Sequence, residues 1–258
     1  MTWRGSLARL LLISYIQILI NLRSYATIFN ILSIAALDLG VYALIMSNMI
    51  GSKYEGIIVP GITIFSVITS SFAVARNIAF SRILPTGFLK YMLSYPMPRI
   101  YIAVGGIICS AFQSLIFIPI VSAIYIALYD RKIEIILLSI PALITSIVFS
   151  SLFIAIGLHI NNIISYNRIM VYIVPALSII STLYYPIEVI AKAFPEWVVM
   201  IAAYNPLSLS AEIARSMAGL LSHTMIYDYS IYHIYALESL AILSSSIAIA
   251  SKRLRTIY

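Results

Sequence analysis

The sequence predicts an all-α polytopic membrane protein: an N-terminal amphipathic interface helix, six transmembrane helices, and a re-entrant outer helical hairpin between helices five and six. Three observations predict it. Of 258 residues, 62% are hydrophobic and only 10% charged, whereas soluble domains carry about 25% charged residues. Several apolar runs reach or exceed the roughly 20 residues that cross a bilayer, too many to hide in one soluble core. The basic residues lie between those runs, not in one patch, so the net charge of +7 points to membrane topology and away from nucleic acid.

The first apolar run, Leu10 to Ile20, reaches only about 16 Å as a helix, half the hydrocarbon thickness. With Trp3, Arg4, Arg9 and Arg23 around it, residues 1–24 read as a helix in the interface plane. The alternative is that this run extends the first span. No short apolar core with a small-residue cleavage site is visible at the N-terminus, so it reads as mature structure. The first span is 25–50, interrupted by Asp38, and the polar turn Gly51-Ser-Lys-Tyr-Glu-Gly56 ends it. The second span is 57–79, with Pro60-Gly61 in its first turn, where a missing N–H costs little.

A polar loop carrying Arg76, Arg82, Lys90 and Arg99 follows. Spans three and four, 100–129 and 135–158, hold Pro119 and Pro141, which membrane helices tolerate through kinks or re-satisfied backbone groups. His159 to Arg168 reads as a polar connector. The fifth span, 169–184, loses its character at Tyr184-Tyr-Pro186 after about 16 residues, too few for an untilted crossing. In 185–230, prolines at 186, 195 and 206 and acids at 188, 196, 212 and 228 break every apolar run, predicting short helices that dip into or cap the membrane. The sixth span is 231–250.

With both termini cytoplasmic, eleven of the sixteen basic residues fall inside and five outside, a positive-inside bias. The expected location is therefore the cell membrane, multi-pass.

No phosphate-binding loop, zinc-protease helix, nucleophile elbow or dinucleotide fingerprint occurs in the sequence. The chain is accordingly expected to be no enzyme, with no catalytic residue, and to bind no cofactor of its own. His223, Asp228 and His233 are five apart, which turns them away from one another on a helix, so no metal site is expected. The lone Cys109 excludes an intrachain disulfide. Asp38, an acid at membrane depth, reads either as lining a polar pathway or as a packing hydrogen bond.

Two stretches carry a resemblance. Between spans two and three, Gly87-Phe88-Leu89-Lys90-Tyr-Met-Leu93, then Pro96 and Arg99, is similar to the coupling-loop pattern of the type-2 ATP-binding-cassette (ABC) exporter permeases. After span five, Tyr184-Tyr185-Pro186, Phe194-Pro195-Glu-Trp197, Asn205-Pro206-Leu-Ser208 and Glu212-x-x-Arg215 resemble that family's outer hairpin. The resemblance implies a permease powered by two copies of a cytoplasmic ABC ATPase, which would hold ATP and Mg, and paired with a second permease, as a homodimer or with a homologue. It implies that Gly87 to Arg99 meets the ATPase, and that Tyr184, Tyr185, Pro186, Pro195, Trp197, Pro206, Glu212 and Arg215 form an outer gate. Membrane lipids are the remaining partner. The rival readings are a permease for lipid or peptide toxin in place of a small drug, and a membrane scaffold or assembly protein without transport.

Overall fold

The computed structural model describes residues 3–23, 29, 33, 55–80, 97–129, 135–160, 162–217 and 230–256, and every regular element among them is a helix. In chain order these are α1 Trp3–Leu22, α2 Glu55–Phe80, α3 Ile100–Tyr129, α4 Ile135–His159, α5 Ile163–Ile179, α6 Ile187–Ala193, α7 Glu196–Ala203, α8 Pro206–Met217 and α9 Ser230–Thr256. Four described stretches are long and apolar enough to cross a membrane: Ile58–Phe80, Ile100–Val121, Leu138–His159 and Ile231–Thr256. The pair α7 and α8, bent by 66° at its break, would make a fifth. The expected first span at 25–50, with Asp38, lies outside the described residues apart from 29 and 33.

α4 is the central helix, packed against α2, α3, α8 and α9. Small residues let these helices approach closely, as they must where lipid supplies no hydrophobic drive for helix association. Ser71, Ser110 and Ser146, one each from α2, α3 and α4, are fully buried. Their hydroxyls close on one another at 2.9, 2.9 and 3.3 Å. Gly106 of α3 leaves room for Ile78 of α2, whose Cδ1 lies 2.1 Å from where a Cβ would stand. Pro119 and Pro141 both sit inside unbroken helices.

Three uncharged polar side chains of α1 face inward, while Arg9 is exposed. Ser14, Gln17 and Asn21 are buried while Leu7, Leu11, Leu12 and Tyr15 are exposed. Gln17 Nε2 donates to the carbonyl of Ile102 at 3.2 Å, and Asn21 takes a hydrogen bond from Asn77 Nδ2 at 2.8 Å. Cys109 is buried, 3.5 Å from Asn21 Nδ2. Polar groups matched to neighbouring helices under an apolar outer face suit a helix bathed in lipid.

Helices at 55–80, 100–129, 135–159 and 230–256 lie over the stretches read as spans two, three, four and six. The fifth differs. The residues read as a polar connector are partly helical: Asn162 caps α5 by accepting from the N–H of Ile164 at 2.8 Å, so the helix starts at Ile163. It ends at Ile179, five residues early. At 17 residues it is about 26 Å long, short of the roughly 30 Å hydrocarbon core.

Candidate functional site

α5 ends where hydroxyl side chains compete for its backbone. Ser181 Oγ donates to the Ser178 carbonyl at 2.6 Å and accepts from the N–H of Leu183 at 3.3 Å, which offers the chain an alternative to another helical turn. Residues 180–185 then run without regular structure, and their buried polar groups need partners at membrane depth.

Those partners come from α8 and the Asn205 cap before it. Arg215 Nη2 donates to the carbonyls of Thr182 at 2.6 Å and Leu183 at 3.1 Å, while Nη1 donates to Glu212 Oε1 at 2.5 Å. Ser208 Oγ accepts from the N–H of Thr182 at 2.9 Å, and Asn205 Nδ2 donates to the Leu177 carbonyl at 3.1 Å. Arg215 is 1% exposed and Glu212 3%, so the pair is fully desolvated and holds only because each member is bonded. From the other side Gly61 of α2 presses on the segment. A Cβ there would lie 1.8 Å from the Leu183 carbonyl oxygen, so only glycine permits this approach. Phe65 and Tyr184 close the contact with ring centroids 5.9 Å apart.

Prolines set the next three turns. Pro186 and Pro195 immediately precede α6 and α7, and Pro206 is the first residue of α8, where its missing N–H costs nothing. Asn205 accepts from the N–H of Leu207 at 3.0 Å and so caps α8. α6 and α7 share a small core of Ile187, Ile190, Ala202 and Ala203, separate from the main one. Outside it, Tyr185, Phe194, Trp197, Met200, Ile201 and Tyr204 are exposed, Trp197 by 66%.

The sequence-predicted hairpin residues therefore divide. Glu212 and Arg215 are buried and tie α8 to the break. Tyr185, Pro195 and Trp197 lie on the outer surface, and Tyr184, Pro186 and Pro206 lie between. Asn205 and Ser208 stood in the quoted motif without a role, and Thr182 and Gly61 carried no signal of theirs, because each acts through a contact distant in sequence. Of the predicted coupling residues, Gly87, Phe88, Leu89, Lys90 and Pro96 lie outside the described residues, as do His223 and Asp228. Arg99 is described: its Nη1 donates to the carbonyl of Leu254 at 3.0 Å. Among the described residues no group of His, Cys, Asp or Glu is placed to hold a metal ion.

A family model described as ABC-2 type transporter matches residues 4–218. No curated protein matches the chain.

Proposed function

The chain belongs to the ABC-2 type transporter family, and from that premise we propose that it is the permease of an ATP-driven exporter, moving a hydrophobic, lipid-like, glycan or peptide substrate out of the cytoplasm or inner leaflet. As a multi-pass ABC permease subunit it works with an ABC ATPase. Two ATPase copies, holding ATP and Mg, and two permeases make the complete exporter, in the cell membrane with both termini cytoplasmic. The permease itself catalyses no reaction and carries no cofactor.

The observation that carries this reading is the broken fifth helix, pinned by Arg215 and Gly61 and followed by three short helices at the outer end. A helix stopped short of the far interface leaves a gap in the wall. The α6 and α7 hairpin fills that gap with few buried contacts, which lets it move while α8 stays fixed. α5 adds a lining. It buries one stripe, Tyr166, Met170, Val174 and Ser178, and leaves Val171, Tyr172 and Ile179 open. That open face is where a second permease, or substrate between two permeases, would lie. Residues Gly87 to Arg99 meet the ATPase, whose closure on ATP favours one arrangement of the helices.

Purification from detergent extract with its ATPase, mass measurement of the complex and ATP-dependent transport in vesicles test the reading. The expected complex holds two permeases and two ATPases. A chain that purifies without any ATP-binding subunit overturns it.

A further inference from the structure

At the end of the bundle opposite the break, two arginines join the termini of three helices. Arg99, one residue before α3, donates from Nη1 to the carbonyls of Leu254 at 3.0 Å and Arg255 at 3.5 Å, in the last turn of α9. Arg253, in that same turn, donates from Nε to the carbonyl of Leu158 at 3.2 Å, in the last turn of α4. The last carbonyls of a helix have no partner within it, and its C-terminus favours a cation, whereas a cation at a helix start opposes that helix's own dipole. Arg99 is thus unfavourably placed for α3 and well placed for α9. Its position has a tertiary reason. Apolar packing reinforces the joint: Leu254 and Ala250 are buried in the main core, and Met97, Ile100 and Tyr101 pack against that core.

We infer that Arg99 is a positioning residue that passes movement of the segment before α3 to the C-terminal helix α9, and that Arg253 anchors α9 to α4 so that the central helix follows. This rests on the proposed contact between Gly87 to Arg99 and the ATPase. α9 becomes a transmission element and not merely the last wall of the bundle. Because α4 also packs against α8, the route ends on the helix that holds the broken segment at the other end.

The test uses the permease and ATPase complex in a Cys109→Ser background, with spin labels at two exposed pairs. Leu12→Cys with Ile249→Cys reports α9 against α1, and Leu12→Cys with Ile144→Cys reports α4 against α1. Distances are measured by pulsed electron resonance with and without ATP plus vanadate. With both arginines intact, both distances shift on nucleotide trapping. Arg99→Gln is expected to lower the ratio of shifted to unshifted distance populations roughly fivefold or more for both pairs, the low end of typical allosteric coupling. Arg99→Lys, which keeps a cationic donor, restores part of it, a rescue that a misfolded chain would not show. Arg253→Gln reduces the α4 shift while the α9 shift remains. Full shifts in Arg99→Gln overturn the inference and leave the transporter reading standing, and a full α4 shift in Arg253→Gln removes Arg253 from the route. No shift in the arginine-intact complex sinks both the reading and the inference.

Discussion

The two halves of the insertion after α5 are made of opposite materials. α8 turns serines, Glu212 and Arg215 inward, and from Leu207 to Arg215 every residue is buried. The α6 and α7 hairpin, beyond its small core of Ile187, Ile190, Ala202 and Ala203, turns apolar residues outward, with Phe194 55%, Trp197 66% and Ile201 55% exposed. In water that would be an inverted protein. Where the outside is lipid or another apolar chain, the polar groups belong inside, bonded to a broken backbone, and the apolar rings belong on the surface. One half is therefore a fixed support and the other a light covering.

The largest expected effect falls on the support. Arg215→Ala leaves the Glu212 carboxylate and two carbonyls buried without their donor, a loss of about 3–5 kcal/mol. Thermal unfolding in detergent, followed by dye attack on the buried thiol of Cys109, reads it directly. An unchanged midpoint would erase the distinction between the two halves. Gly61→Ala comes next: its methyl meets the Leu183 carbonyl oxygen, so about 1–3 kcal/mol is expected, with residues 180–185 displaced. Limited proteolysis near Tyr184 is the check, and a cleavage pattern identical to wild type would show that the two backbones can part at no cost.

A smaller loss tests the cap. Asn205→Ala removes the α8 cap and the tie to Leu177, worth about 1 kcal/mol, whereas Asn205→Asp keeps the cap and loses only the tie. Equal losses in both would assign the whole effect to the tie. Trp197→Ala stands at the other extreme. The unfolding free energy should change by less than about 0.5 kcal/mol, while transport in vesicles falls several-fold. A loss of stability comparable to that of Arg215→Ala would make the hairpin part of the support.

Much of this was legible in the sequence. Long apolar runs are a one-dimensional signal, because a helix in lipid satisfies its backbone locally and needs only length and apolarity; spans two, three, four and six emerge near their read boundaries. The fifth does not. Its start depends on Asn162, which the charge pattern of the connector concealed, and its end depends on Ser181 bonding Ser178 and Leu183 and on Thr182 finding partners in α8. The motif around Pro186, Pro195 and Pro206 located the insertion, since proline placement at helix starts is a local rule. It did not separate Glu212 and Arg215 from Trp197, because burial is not a property of a motif. The sequence places Arg99 in a cytoplasmic loop, and nothing near it in sequence shows that its guanidinium reaches Leu254.

By itself the sequence determined that this chain lives in a membrane, that it is built of helices, and that proline-marked short segments interrupt the long apolar runs after residue 184. Those follow from hydropathy, proline and glycine, which act within a few residues of themselves. Only the tertiary structure decided what the interruption is for. A buried charge, a bare glycine and an orphan carbonyl have meaning only when they meet, and Gly61, Leu183 and Arg215 meet across more than 150 residues of chain.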